Sequence, residues 1–454
     1  MRSWRRQHDR RVPPRAVGAQ SPPLSLDRFE GAREAVRAND AREAVRLVRE
    51  QLALDVVMPP LDVLLGIGLV EGVPSLAGAA SKVTGMPMGP ELLFLLGYEL
   101  FEIGTPDLAV PVLREALRHA PGSAKILCEL VMCFDEGGRH AESQALLSQS
   151  RHLFGPDFLL NYLLAFESIL VGDLDTAHEV YPLLGAPPDE QSAVMAHRIR
   201  NMLRRADHAS RRSSLDASDL RGWHFVITGG VLLARSPYGP EDGMNGRWAF
   251  VQDSYANVQE GLNRLRAVVA TCERRVERVI PLPDRGSRAV AQAAAQLLDV
   301  PLVRPDDPRS GLVVGYDLTD VDEEPLRQLA WHEPERPLYV HAARWTQTGP
   351  VAPDFLTMLY QEIVAPWGQG MGMTIYDSGA RNVQTLPADD SPPEVLARHI
   401  LAADPAASSL DSPDGAPELQ LFAAAVRAVA AGTADSGGRE QFWPGGPVAS
   451  ARFT

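Results

Sequence analysis

The sequence predicts a multidomain protein, α plus α/β: an N-terminal α-solenoid of helical hairpins, then a three-layer α/β domain with a mainly parallel sheet. Three observations predict this. Gly104, Gly138 and Gly172 recur at equal intervals of about 34 residues, each between two apolar stretches with helical spacing. After residue 222, short apolar runs alternate with amphipathic stretches, as in parallel α/β domains. A length of 454 residues also exceeds the roughly 250–300 residues that one core usually reaches.

Composition divides the chain into five predicted segments. They are a basic arm at 1–24, helical repeats at 25–205, a polar linker at 206–221, the α/β domain at 222–385, and a Pro/Ala/Asp-rich tail at 386–454 with one helix near 417–431. The arm begins MRSWRRQHDRRVPPR and lacks the apolar stretch of a signal peptide. We therefore expect a disordered basic arm, or an upstream start that is not used.

Charge and cysteine content narrow the function classes. The net charge of −14 argues against nucleic acid or an anionic membrane as partner, because phosphates repel such a surface. No apolar run reaches the ~18 residues of a membrane span. The three cysteines fit a reducing, cytoplasmic location. Only Lys82 and Lys125 among 44 basic residues are lysines, which is typical of a GC-rich, bacterial genome.

The best-defined repeat unit is ELLFLLGYELFEIGTPDLAVPVLREALRHAPGS. It has apolar and small residues at fixed spacings: Leu93, Leu96, Gly97, Ala109, Leu113, Ala116 and Pro121. This pattern resembles the tetratricopeptide repeat, and the resemblance extends over roughly 25–205. In the second unit Val131 stands in place of Gly97 and Ser143 in place of Ala109, whereas Ala165 and Ala177 restore small residues in the third.

The resemblance implies a superhelix whose groove binds a protein or peptide partner. Small residues let neighbouring helices approach closely, and a glycine can end the first helix of each hairpin. The residues that define the repeat are Gly97, Gly104, Ala109, Gly138, Gly172 and Ala177, and each unit closes at a proline: Pro121, Pro156 and Pro187. The alternative is an array that only packs against its own chain. The oligomeric state is left open.

The stretch RVIPLPDRGSRAVAQAAAQLLDVPLV, 278–303, predicts a strand, a polar turn, a helix and a second strand. With the later run GLVVGYDLTDVDEEPL it weakly resembles a degenerate type I phosphoribosyltransferase fold. That resemblance implies a ligand site formed by Asp284, Arg285, Gly286, Ser287, Asp317 and Asp320. The match departs where the family has paired carboxylates and a phosphate-binding loop: here stand Tyr316-Asp317 and an acidic loop, 319–324. We therefore expect a non-catalytic domain, with no cofactor or metal site. Mg²⁺ binding is expected only under the alternative in which the domain binds a phosphorylated ligand.

Two further stretches of the α/β domain carry predictions. Trp223–Arg235 contains Gly229-Gly230 and predicts two strands joined by a tight turn. Arg344 follows a strand ending near 343, where ligands bind in open parallel sheets, so it joins the candidate ligand residues. The competing interpretation of that region is a capping helix from Pro353 to Val364. The remaining predicted elements are strands at 278–282, 301–304, 311–317 and 338–343, and helices at 254–275, 287–299 and 323–331.

Two functions remain open, and whether the chain is an enzyme is undecided. We favour an adaptor or scaffold whose repeat groove binds a protein or peptide. The alternative is an enzyme or sensor whose α/β domain binds a phosphorylated sugar or nucleotide while the repeats recruit a protein substrate. The two predict different surroundings for Arg285, Ser287, Asp317 and Arg344: one shared pocket for the enzyme, and dispersal or engagement in salt bridges for the adaptor.

Overall fold

The computed structural model describes most of the chain. The described ranges are 28–54, 58–72, 89–155, 157–237, 243–319, 321–330, 335–375, 381–410, 415–429 and 439–450. The chain forms two compact units, Met1–Gly137 and Gly138–Thr454, here called unit 1 and unit 2. The predicted basic arm, Pro156 and Asp320 lie outside the described residues.

Unit 1 is helical in its described residues. Its helices are α1 (Glu30–Arg37), α2 (Ala41–Leu54), α3 (Leu61–Val70), α4 (Pro90–Glu102), α5 (Pro106–His119) and α6 (Ala124–Glu136). Sequential helices pack together: α4 lies against α5, and α5 against α6. Proline at the first position of α4 and of α5 is favourable, because that position has no intrahelical N–H partner to lose. The described residues of unit 1 therefore contain helical hairpins at α1–α2 and α4–α5.

Close packing in the α4–α5 hairpin depends on Gly97. A Cβ built at this position would lie 2.5 Å from Cγ of Leu113 on α5, well inside van der Waals contact. Ala109 on α5 is also fully buried. Gly104 ends the α4 region with φ of +75°, a conformation that side chains with a Cβ disfavour. Small residues thus occupy the positions where this hairpin needs them.

Unit 2 begins with helices and continues into the α/β region. Its first helices are α7 (His140–Phe154), α8 (Phe158–Val171), α9 (Leu174–Val180) and α10 (Glu190–Ala209), with a 3-10 turn at Tyr181–Leu184. Gly138 and Gly172 have φ of +65° and +85°, and Ala177 is fully buried. Helix α8 packs against α7, α9 and α10, so it is the central helix of this part.

The α/β region contains one parallel sheet. Its strands are β1 (Val231–Leu232), β2 (Trp248–Gln252), β3 (Val279–Pro281), β4 (Leu312–Gly315), β5 (Leu338–Arg344) and β6 (Phe355–Val364). Both β1 and β2 pair with β6, and the order continues β6-β5-β4-β3, all parallel. The prediction of a mainly parallel sheet is confirmed. Strands β7 (Gly370–Ile375) and β8 (Arg381–Leu386) form a separate antiparallel pair.

Helices accompany the sheet along the chain. They are α11 (Leu220–Thr228), α12 (Tyr255–Thr271), α13 (Arg285–Leu298), α14 (Glu323–Leu329), α15 (Pro393–Ala402) and α16 (Ala416–Val426). Helix α13 packs on β3 and β4, and α12 packs on β6. Gly261 permits the close approach of α12, since a Cβ there would lie 2.8 Å from Oγ1 of Thr357 on β6.

Two predicted elements of the sheet region have the wrong type. The first of the two strands predicted within Trp223–Arg235 is helix α11, which Asp219 caps at its start and Gly229 ends with φ of +80°, whereas the second is present as β1. Every residue of α11 is buried, so tertiary packing outweighs their strand propensity. The segment from Pro353 to Val364, considered as a capping helix, is strand β6, an interior strand paired on both sides.

The predicted strand at 301–304 is reduced to one bridge, between Val279 and Leu302. The tail also holds more structure than the single predicted helix. Helix α15 precedes α16 and packs on α13, burying Leu396 and Ile400. The domain boundaries predicted near residues 205 and 385 stay predictions. The division between the two compact units falls elsewhere, after Gly137.

Candidate functional site

The main candidate site in unit 2 is a pair of aromatic rings on α8. Tyr162 and Phe166 occupy i and i+4 positions, so they lie on one helix face, and their rings stack with centroids 5.8 Å apart. Trp443, from the far end of the chain, meets Phe166 edge-on at 5.4 Å. An edge-to-face contact of this kind is favourable beyond the area that it buries. The helical face is therefore occupied by another part of the same chain.

Arg198 of α10 joins this aromatic cluster to a carboxylate. Its Nη1 donates to the Tyr162 hydroxyl at 2.9 Å, its Nε donates to Glu440 at 3.0 Å, and its guanidinium lies 5.8 Å from the Trp443 ring. Burial opposes the charge of Arg198, but the Tyr162 hydroxyl and the Glu440 carboxylate raise its pKa overall. Arg205, further along α10, lies 3.5 Å from the same carboxylate.

The segment that carries Glu440 and Trp443, residues 439–450, is here called the C-terminal segment. It is held by the backbone: Phe442 exchanges two hydrogen bonds with Gly349, at 2.9 and 3.1 Å. Arg439 donates to Asp354 at 2.7 Å, and Arg247 donates to the carbonyl of Val448 at 3.1 Å. Backbone and side-chain hydrogen bonds thus anchor the C-terminal segment to the rest of unit 2.

Unit 1 contains a ring pair at the corresponding repeat positions. Phe94 and Tyr98 on α4 precede Tyr162 and Phe166 by two repeat periods. Their rings also stack, with centroids 6.2 Å apart. Tyr98 is 38% exposed, and Met132, one repeat further along on α6, is 43% exposed. We call the surface formed by Phe94, Tyr98, Met132 and their charged neighbours the unit-1 face.

The charged neighbours on the unit-1 face are mostly acidic. They are Glu99, Glu102 and Glu129, together with Lys125, whose Nζ lies 4.3 Å from the Phe94 ring centroid. The carboxylate of Glu102, followed by burial and Glu129, raises the pKa of the Tyr98 hydroxyl. Burial and the nearby Glu102 raise the pKa of Glu129. The surface around the exposed ring is therefore electronegative.

The ligand residues predicted at the start of α13 serve the helix itself. Asp284 caps α13 by accepting from the backbone N–H of Ser287 at 2.7 Å. The Ser287 hydroxyl accepts from the backbone N–H of Tyr316 at 2.9 Å and is buried. Gly286 lies under Trp367, since a Cβ there would come within 2.6 Å of that ring. Arg285 donates to the carbonyls of Asp389 and Ser391, at 2.8 and 3.0 Å.

Asp317 and Arg344 meet at Tyr360 on β6. The Tyr360 hydroxyl donates to Asp317, and the Arg344 guanidinium lies 6.0 Å from the Tyr360 ring centroid. Arg344 also donates to Glu362 at 3.2 Å, and Asp317 accepts from the backbone N–H and hydroxyl of Thr319. Asp317 and Arg344 are thus brought together, whereas Arg285 is directed to backbone carbonyls elsewhere.

Sequence reasoning missed a buried polar group at the same edge of the sheet. The Tyr316 hydroxyl donates to Asp253 at 2.9 Å, and Nε2 of His341 lies 3.2 Å from the same carboxylate oxygen. The side chains of Asp253 and His341 are fully buried, and the rings of Tyr316 and His341 stack. Burial and then Asp253 raise the pKa of Tyr316. The signal for Asp253 was its position just after the apolar run 248–251, for which no strand was predicted from the sequence.

Sequence reasoning also missed Tyr162, Arg198, Glu440 and Trp443. The ring pair was detectable by extending the repeat register from Phe94 and Tyr98. The contacts of Glu440 and Trp443 could not be predicted from the sequence. They lie in a coil segment far from α8 along the chain, and such a segment has no periodicity that indicates its partner.

No protein-family model and no curated protein matches this chain. Similar solved structures include MamA of strain AMB-1, with 20% identity over 37% of this chain and 94% of that chain and a TM-score of 0.24. YrrB, described as a TPR protein with an unusual peptide-binding site, has 18% identity over 37% of this chain and 88% of that chain and a TM-score of 0.25. MamA from Desulfovibrio magneticus RS-1 has 20% identity over 34% and 88%, with a TM-score of 0.21.

At TM-scores of this size the likeness gives no residue of this chain a role. The helical repeat rests on the helices and contacts described above. None of the described helices is long and apolar enough to cross a membrane.

Proposed function

We propose that this protein is an adaptor whose helical repeats hold extended peptide segments against aromatic residues on the first helix of each hairpin. One observation carries the proposal: Trp443 of the C-terminal segment lies on the Tyr162–Phe166 pair of α8. The chain thereby supplies its own example of the contact. Exposed aromatic and methionine side chains at repeat-equivalent positions of unit 1 offer the same chemistry to a second peptide.

Three features of the occupied contact define what such a peptide needs. An aromatic side chain provides the edge contact to the ring pair, and a carboxylate pairs with a guanidinium beside it. Backbone hydrogen bonds fix the remainder of the segment, as Phe442 does with Gly349. Aromatic anchors surrounded by polar contacts are the usual source of affinity at protein interfaces. A ligand of the repeats is therefore expected to carry an aromatic anchor on an extended backbone.

The environment of the arginines also favours an adaptor over a phosphate-binding domain. A phosphate site needs guanidinium or backbone N–H groups that are available to the ligand. Arg285 donates to two backbone carbonyls, and Arg344 pairs with Glu362 and lies against Tyr360. The Ser287 hydroxyl is buried and accepts from Tyr316. These groups are engaged by the chain itself, Arg344 in a salt bridge and Arg285 and Ser287 in hydrogen bonds to the backbone, and this supports the adaptor over a phosphate-binding domain.

The test is a selection of peptides on the full chain. A random-peptide phage library is panned on the immobilised protein, and enriched peptides are measured by fluorescence anisotropy. We expect peptides with an aromatic residue, whose binding weakens at least about tenfold in Tyr98→Ala because a central aromatic anchor is lost. Leu183→Ala is the matched control, since Leu183 is 47% exposed but lies on the 3-10 turn. Enrichment only of peptides that bind both variants equally would refute the proposal.

A further inference from the structure

The unit-1 face and helix α8 carry stacked ring pairs at equivalent repeat positions, but among the described residues only the pair on α8 is covered by another aromatic side chain. On α8, Trp443 covers Phe166, which is 4% exposed, and the Arg198 guanidinium lies beside the tryptophan. On α4, the equivalent Tyr98 is 38% exposed. An exposed tyrosine and an exposed methionine at successive repeat positions form a surface that an aromatic side chain can cover. The contact of Trp443 with α8 therefore indicates that the unit-1 face can bind an aromatic side chain of a peptide.

A ligand of the unit-1 face should differ in charge from the C-terminal segment, because the two surfaces have opposite charge. The C-terminal segment offers the carboxylate of Glu440 to Arg198 and Arg205. The unit-1 face instead presents carboxylates, and these make the surroundings of Tyr98 electronegative. A ligand there needs an aromatic side chain flanked by basic groups, because an acidic segment would be repelled.

The start of the chain, residues 1–15, has that composition. It contains six arginines, one aspartate and Trp4, and the order RSWRR places the tryptophan between arginines. The chain between Trp4 and Arg28, the first described residue, is roughly 24 residues long and can extend up to about 80 Å. Within unit 1, α1 packs on α3 and α3 on α4, so two helix packing distances of about 10 Å each separate α1 from α4. The reach of the arm exceeds that separation.

We infer that residues 1–15 bind to the unit-1 face of their own chain, with Trp4 against Tyr98 and the arginines paired with Glu102 and Glu129. The inference rests on the proposed function, since it assigns the ligand of one peptide-binding face. The arm then competes with any partner peptide for that face, because both need Tyr98. A covalently attached ligand has a high effective concentration, so a partner must bind tightly or displace the arm by its own charge.

Photo-crosslinking in the full chain tests the inference. Trp4 is replaced by p-benzoylphenylalanine, which keeps an aromatic side chain, and the crosslinked peptides are mapped by mass spectrometry. We expect crosslinks to α4 and α6, reduced at least fivefold by Tyr98→Ala and by raised salt, with Leu183→Ala unchanged. Mixing unlabelled with 15N-labelled protein separates crosslinks within one chain from those between copies.

Each other result overturns the inference. Crosslinks outside α4 and α6, crosslinks that persist in Tyr98→Ala, or crosslinks only between differently labelled copies would each exclude binding of the arm to its own unit-1 face. These failures are distinguishable from failure of the proposed function. If library peptides bind through Tyr98 while Trp4 crosslinks elsewhere, the proposed adaptor function is supported, and residues 1–15 are not the ligand of the unit-1 face.

Discussion

Trp443 meets the ring of Phe166 edge-on, with centroids 5.4 Å apart, although the two residues lie far apart in the chain. The contact links the last described segment of the chain to a central helix of unit 2. It also places a peptide-like segment on a helical-repeat face. Groups that hold the C-terminal segment also build the face on which it lies, so loss of this contact should affect the stability of this part of the molecule.

Replacing Trp443 with alanine should destabilise unit 2. The side chain is half-buried, so we expect a loss of about 2 kcal/mol of unfolding free energy, below the roughly 3–5 kcal/mol of a fully buried tryptophan. The measurement is urea unfolding of the full chain, together with the rate of proteolysis of the C-terminal segment. Leu183→Ala should change neither quantity measurably. An unchanged unfolding midpoint and unchanged proteolysis in Trp443→Ala would mean that the segment does not depend on its aromatic contact.

The α4–α5 hairpin allows a test of close packing. Gly97→Ala puts a methyl group within 2.5 Å of Leu113, so the hairpin must open or Leu113 must change rotamer. Overpacking of this kind usually costs about 1–3 kcal/mol. Gly122→Ala is the matched control, because a Cβ there meets nothing within 4 Å. Urea unfolding should therefore show a lower midpoint for Gly97→Ala alone; equal midpoints for the two variants would contradict the packing described for α4 and α5.

Much of the helical architecture was predictable from sequence, because helical spacing and the regular repeat period are local signals. The strand–helix order at β3, α13 and β4 was predictable for the same reason. The types of α11 and β6 were not, since both segments are runs of apolar residues without clear periodicity, and burial decides between helix and strand. Gly229 permitted either a strand turn or a helix end.

In the candidate sites, too, local features could be predicted from the sequence and contacts distant in sequence could not. The residues at the start of α13 were identifiable as a turn, but their partners, such as Tyr316 and the carbonyl of Ser391, depend on contacts that are distant in sequence. The contact of Arg198 with Glu440 is likewise non-local. Such pairs are set by the tertiary fold, and a single sequence has no signal that specifies them.

The burial of His224 leads us to expect that the folded protein loses stability in acid. It is buried on α11 beside the Phe442 ring, and burial, followed by the charge of Arg247, lowers its pKa from 6.5 to about 3. The unfolded chain therefore binds a proton near pH 6.5 that the folded chain does not bind until about pH 3. Stability from this residue is present above pH 6.5 and falls as the pH decreases towards 3. We expect a loss of about 2 kcal/mol between pH 7.5 and pH 5, from roughly 1.4 kcal/mol per pH unit below 6.5.

The measurement is urea unfolding at both pH values, for the wild type and for His224→Gln. The glutamine variant has no group at this position that titrates in this range, so its loss of unfolding free energy should be smaller by about 2 kcal/mol. His119→Gln is the control, because His119 lies on the surface of α5 and is half-exposed. If His224→Gln and the wild type lose stability equally between the two pH values, acid sensitivity arises from other groups and His224 is not held neutral by burial.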